Sequence, residues 1–116
     1  SILLTFPNSV PGAAEAIKRA GKVGRVALTG NSTPNKLRPY LKEGVLQSGY
    51  LWDPRALGSL TVRMAKALID GTELKAGLQI PGYGELRVSE TDSKTVIMAE
   101  PIRFTRENID SFDFGI

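Results

Sequence analysis

The chain has 116 residues, 41% of them hydrophobic and 23% charged, with a formal net charge of +3. That length suits one small domain able to bury a core, and no apolar run nears the roughly 18 residues of a membrane span. There is no His and no Cys, which excludes the common zinc sites, Ser-His-Asp triads and Cys nucleophiles.

The first residues, Ser1-Ile2-Leu3-Leu4-Thr5-Phe6, read as a core strand that runs from Ile2 to Phe6. No basic segment followed by an apolar one precedes it, so no signal peptide is visible, and an apolar strand at residue 2 is the start expected of a chain cut from something longer. Pro7-Asn8-Ser9 ends the strand. Asn8 or Ser9 is a fitting cap for the next helix, and Pro11 fits its first turn. Ala13, Ala14, Ile17 and Ala20 recur at helical spacing, and Gly21 closes the helix. Lys18, Arg19, Lys22 and Arg25 gather at that end, where cations suit the dipole. No aromatics interleave with them, so the group reads as a solvated helix end and not a nucleic-acid surface.

Val23 to Thr29 contains the second predicted strand, centred on Val26, Ala27 and Leu28, and Gly30-Asn31-Ser32 is a predicted loop. Thr33-Pro34 opens a second helix with a cap and a proline at the first helical position. Pro39 is expected to break or kink it, and Gly44 ends the unit. The third strand spans about 45 to 52, and Asp53-Pro54 starts a third helix with Leu57, Leu60, Met64 and Leu68 as its core face. Asp70-Gly71 stops it. Such alternation of strand and helix argues for βαβ units and a parallel sheet. Beyond Gly71 the pattern changes to strand-like runs at 78–81, 85–89 and 95–105, the signature of an added hairpin or meander. Thr105-Arg106-Glu107-Asn108 leads into a last helical turn before Phe112-Asp113-Phe114.

In open α/β sheets, ligands bind beyond the carboxyl ends of the strands. Three such ends are legible: Pro7-Asn8-Ser9, Gly30-Asn31-Ser32-Thr33 and Trp52-Asp53. Asn and Asp suit pairs of neighbouring hydroxyls on a sugar-like ligand, and the one Trp offers a flat apolar face to the C–H side of a ring. Asn8, Ser9, Thr33 and Asp53 also read, each taken alone, as plain helix caps. Other candidates carry less. Gly82-Tyr83-Gly84 lacks the strand-turn-helix context of a phosphate loop and reads as a hairpin turn. Nothing positions Ser93-Lys94 or Tyr83 as nucleophile and base, and Glu100 before Pro101 reads as an edge or exposed acid. No catalytic residue, metal site or cofactor is expected.

Three segments carry a resemblance to a known family: GNSTPNKLRPYLKEG (30–44), GYLWDPRALG (49–58) and IRFTRENIDSFDF (102–114). Together and in this order they resemble the sugar-type periplasmic solute-binding proteins of ABC transporters, in the branch of the rhamnose and autoinducer-2 receptors. The resemblance implies an α/β periplasmic-binding-protein type I fold, two lobes around a ligand cleft, of which this chain is an incomplete C-terminal portion. Residues 1–51 then belong to the second lobe, 52–104 cross into the first lobe and back, and 105–116 form a C-terminal tail. By position, Pro7 and Ser9 fall where the autoinducer-2 branch holds its ligand with the backbone of a Pro-Asp-Ala turn. Asn31 or Ser32 matches the loop in which ribose receptors place an Asp. Trp52, with Asp53 beside it, matches a hinge-side ligand contact, and Gly49 is suited to absorb the backbone change of a hinge.

In functional terms the resemblance implies binding of a sugar or sugar-like solute in the periplasm, by closure of two lobes, for delivery to the membrane permease of an ABC transporter. Neither enzymatic turnover nor nucleic-acid binding is implied, and the isolated portion is expected to self-associate or to need the missing N-terminal part. The alternative is the effector-sensing domain of a sugar-responsive transcriptional repressor, which shares the fold but carries a DNA-binding headpiece not seen here.

Overall fold

A computed structural model describes residues 1–98 and 100–115. In chain order the elements are β1 (Ile2–Leu4), α1 (Ser9–Arg19), β2 (Leu28–Asn31), α2 (Pro34–Lys42), β3 (Ser48–Leu51), α3 (Pro54–Ile69), β4 (Gln79–Ile80), β5 (Gly84–Glu85), β6 (Arg87–Val88), β7 (Val96–Ile97), β8 (Ile102–Phe104) and a 3₁₀ turn at Ile109–Ser111. They divide into two units, Ser1–Leu51 with Pro101–Ile116, and Trp52–Glu100.

The first unit is a four-stranded sheet in the order β1-β2-β3-β8. β1, β2 and β3 run parallel, and β8 lies antiparallel to β3 with Leu51 opposite Ile102. The expected βαβ units are therefore present. α1 and α2 pack on one face of the sheet, where the usual crossover between parallel strands places them. There Val10, Ala14 and Ile17 of α1 and Leu37 and Leu41 of α2 are buried with Leu28, Val45, Leu46, Leu51, Phe104 and Ile109. Each large apolar side chain among them contributes about 1.5–3 kcal/mol of burial. Ala20, assigned to the core face from its spacing, is instead the exposed C-cap of α1, and Val10 takes a buried place in the first turn.

Two glycines let the helices lie against the strands. A Cβ on Gly30 would stand 2.7 Å from Val10 Cγ2, and one on Gly49 would stand 2.1 Å from Leu37 Cδ1. Gly49 thus has a packing reason for being glycine, separate from any backbone change at a hinge. The second strand also begins later than its apolar centre implies. Lys22 accepts from the backbone N–H groups of Arg25 and Val26, at 2.9 and 3.1 Å, and this turn takes Val23 to Val26 out of the strand. Gly30 and Asn31, expected in a loop, are instead paired with Gly49 and Tyr50. Inter-strand bonding from the Thr29 hydroxyl to the Ser48 carbonyl, 2.8 Å, supports this polar end of the ladder.

α2 runs through Pro39 without a break. The ring lies on the outer, exposed side, so the one helical bond it forfeits is there, while Leu37 and Leu41 hold the inner side in the core. The helix ends on Gly44 at φ 74°, with Gly44 N–H donating to Leu41 and Val45 N–H to Tyr40. This pattern satisfies two terminal carbonyls and requires a left-handed residue. Outside the core, Lys18 reaches Glu43 at 2.7 Å. That carboxylate, ahead of Glu15, raises the lysine's pKa, and burial followed by Glu15 raises that of Tyr40.

The second unit contains α3 and two hairpins, β4–β5 and β6–β7. Its small core is Leu60, Ile80 and Leu86, with Met64 packed against it. Leu57 and Leu68, expected in the core, are 41% and 56% exposed, because this unit offers only one short layer for α3 to cover. Pro81 to Tyr83 form the predicted hairpin turn, with Tyr83 N–H donating to Ile80 at 3.0 Å. The run expected over 95–105 is two strands. β7 pairs with β6 and β8 with β3, and Pro101, which lacks a ladder donor, stands between them. Ala99 of that run lies outside the described residues. Among the described residues, no helix is long and apolar enough to cross a membrane.

Two outcomes check this packing. Gly49→Ala should cost about 1–3 kcal/mol in urea unfolding, and combined with Leu37→Ala the loss should be less than additive, since the second change removes the clash. In the β6–β7 turn, the Thr95 hydroxyl and then the Lys94 N–H hold Asp92 below its ordinary value of 3.8. The support this gives is complete above that value and is lost as pH falls through the lowered one. An NMR titration of the Asp92 carboxyl should therefore show a midpoint below 3.8, moving back towards it in Thr95→Val.

Candidate functional site

Because β1, β2 and β3 are parallel, their carboxyl ends form one edge of the first unit's sheet. Pro7, Asn8 and Ser9 come after β1 at this edge, Asn31 is the last residue of β2, and Ser32 and Thr33 lead into α2. The sequence-predicted residues of the first unit are thus brought together. Trp52 and Asp53 open the second unit, where Trp52 is 42% exposed and Asp53 caps α3.

Of the four residues that also read as helix caps, one caps. Asp53 Oδ1 accepts from Arg55 N–H at 2.8 Å and Ala56 N–H at 3.3 Å. Asn8 stands at the N-cap of α1 with no side-chain cap bond, and its Oδ1 accepts instead from Lys36 Nζ at 3.4 Å. Ser9 donates its hydroxyl backwards to the Phe6 carbonyl at 2.6 Å. Thr33 has the extended backbone of an N-cap but likewise makes no side-chain cap bond.

What distinguishes the β2 end is a run of unpartnered polar atoms. Asn31 Oδ1, Ser32 Oγ and Thr33 Oγ1 are all buried without a hydrogen-bond partner among the described residues, and Ser32 is 0% exposed. An unpaired buried polar group costs about 1–3 kcal/mol, and native proteins keep few of them. Three in succession at the carboxyl edge of a parallel sheet leave hydrogen-bonding capacity there that the described residues do not use. Asn31 shares a sheet face with Tyr50 and Arg103, its neighbours across the ladder, on the side opposite α1 and α2.

Sequence reasoning read Thr33 both as a cap and as part of the Gly30-Asn31-Ser32-Thr33 strand end, and overlooked the segment that covers it. Asn108 Oδ1 accepts from Thr105 N–H, and its Nδ2 donates to the Arg103 carbonyl, both at 2.8 Å, turning the chain after β8. Phe112 and Phe114 then pack edge-on to Phe104, with ring centroids 5.0 and 6.2 Å apart, and Gly115 lies against Thr33. The aromatic doublet of SFDF was the available signal. Among the described residues, no group of three or more Asp or Glu is placed to hold a metal ion.

Substitution separates the two kinds of polar residue. Asp53→Ala should lower unfolding free energy by about 1 kcal/mol through loss of its cap. Ser32→Ala should leave it unchanged or raise it by about 1 kcal/mol, since it removes an unpaired hydroxyl. A clear loss for Ser32→Ala in urea unfolding would show that the hydroxyl is partnered after all.

Comparison with known proteins gives one family and several solved structures. The model of the periplasmic binding protein domain matches residues 2–73. A sugar ABC transporter protein from Actinomyces odontolyticus is 31% identical with a TM-score of 0.81, over 97% of this chain and 36% of that one. LsrB from Clostridium saccharobutylicum, solved in complex with AI-2, is 27% identical with a TM-score of 0.76, over 97% of this chain and 39% of its own. An ABC transporter solute binding protein from Clostridium phytofermentas with bound L-rhamnose shares the fold at 23% identity and a TM-score of 0.76, over 95% of this chain and 38% of its own. The chain therefore spans less than two-fifths of the length of each of these three structures.

Proposed function

The chain belongs to the family of periplasmic binding protein domains, and from that premise we propose that it is part of an extracytoplasmic receptor for a sugar or sugar-like solute, which it delivers to the membrane permease of an ABC transporter. The observation that carries this reading is the run of buried, unpartnered oxygens on Asn31, Ser32 and Thr33 at the carboxyl edge of a parallel sheet. AI-2 and L-rhamnose, the molecules held by two of the matched structures, are both of the hydroxylated class that such oxygens suit.

On this reading residues 1–51 belong to one lobe of a two-lobed protein, 52–104 pass into the other lobe and return, and 105–116 form the tail. Pro7, Asn8, Ser9, Asn31 and Ser32 hold the ligand from the first of these, and Trp52 and Asp53 line the cleft from the crossing. Binding is non-covalent and uses no catalytic residue. A ligand touched by both lobes only when they close favours the closed arrangement by its differential contacts, and the permease reads that closure. Where the rest of the lobes is absent, exposed side chains such as Val62, Leu68 and Ile69 have a second copy of the chain as their available partner.

Calorimetric titration of the complete two-lobed protein against L-rhamnose, D-ribose and AI-2 tests the proposal, with saturable one-to-one binding of at least one as the expected result. Trp52→Ala should then raise Kd about tenfold, equal to about 1.4 kcal/mol, and shift the melting midpoint by less than about 2 °C, as suits a half-exposed side chain. A sharp fall in stability with affinity intact would make Trp52 a packing residue only. Absence of binding across the panel would remove the receptor reading for these sugars.

A further inference from the structure

α2 carries, just past its first turn, an arginine that ties it to the segment after β8. Arg38 Nη1 donates to Asn35 Oδ1 at 3.0 Å, Nη2 donates to the Phe112 carbonyl, and Nε faces Asp110 Oδ1 at 3.5 Å. Asn35, so oriented, donates from Nδ2 to Asp113 Oδ1 at 3.1 Å, and Lys42 reaches Asp110 Oδ2 at 2.8 Å. These bonds bind Asp110–Asp113 along α2. Phe112 and Phe114 insert against Phe104, which brings Gly115 onto the side chain of Thr33. The fit there leaves no room, since a Cβ on Gly115 would stand 2.3 Å from Thr33 Cβ, and Gly115 adopts φ 84°.

We propose that Arg38 is a positioning residue for the ligand-contact turn Asn31-Ser32-Thr33, acting through the strap Phe112–Gly115 that it fastens over Thr33. The inference rests on the receptor reading above and adds the element that holds the site's shape. A turn with three buried oxygens and no internal partners has no hydrogen bonds from those oxygens to fix it. Its geometry is imposed from outside, by the ladder to β3 on one side and by the strap on the other. Gly115 packed on Thr33 leaves water little room beside that hydroxyl, which strengthens the bond it makes to a ligand.

The test uses the complete two-lobed protein with L-rhamnose, D-ribose and AI-2 as probes, each titrated well below the melting transition of every variant. Arg38→Met keeps the aliphatic stem and removes the fork, and Gly115→Ala leaves the core intact but pushes the strap off Thr33. Both should raise the Kd of the bound probe at least tenfold and speed amide hydrogen exchange at Ser32 and Thr33 by a similar factor. Arg38→Lys, which keeps the charge facing Asp110, should fall between. Wild-type affinity in both folded Arg38→Met and Gly115→Ala would overturn the positioning role, whatever their melting points. Failure of the unsubstituted protein to bind any probe would instead overturn the receptor reading on which the proposal stands.

Discussion

The seating of Leu37 in the space that a side chain on residue 49 would occupy is the contact on which the first unit depends. With Leu37 Cδ1 at 2.1 Å from the missing Cβ, α2 packs on β3 through space that a side chain at residue 49 would fill. That closeness fixes where α2 begins, and therefore where Asn31, Ser32 and Thr33 come to rest at the end of β2. It also sets the level at which Arg38, one residue along, meets the returning chain. Packing of a helix on a sheet and placement of polar groups at its edge are here one event.

The alternation of elements was legible because each helix start and stop is written in local chemistry. Asp53-Pro54 and Gly44 act as their residue types predict. The strand limits were less legible: β2 is extended by pairing of Gly30 and Asn31 with β3, and pairing is a long-range fact that no local pattern of Gly and Asn announces. Pro39 misled for a related reason. Its local cost is real, but the burial of Leu37 and Leu41 on the other side of α2 outweighs one lost bond. For α3 the error ran the other way, since a helical stripe reports an apolar face without saying what covers it, and Leu57 and Leu68 remain exposed.

The candidate site shows the same division. Residue types after β1 and β2 pointed to one edge of the first unit's sheet, because parallel topology makes that edge common to both. Cap and ligand roles could not be separated from sequence, since Asn, Ser, Thr and Asp serve both. Only geometry assigns Asp53 to its helix and leaves the Thr33 hydroxyl without that duty. The strap was hidden because its partners lie 74 to 78 residues apart in the chain, beyond any periodicity.

The pairing of Leu51 with Ile102 has a consequence for the order in which the protein assembles. The chain leaves the sheet at the end of β3 and re-enters beside the same strand, so all of Trp52–Glu100 is a closed excursion. During synthesis β1, β2 and β3 can form while the far edge of β3 still lacks its neighbour. Closing so long a loop costs only slowly increasing entropy, but it delays the last strand until the excursion has been made. Phe104, Phe112 and Phe114 lie in and after that strand, so the aromatic part of the core is synthesised after the rest of it.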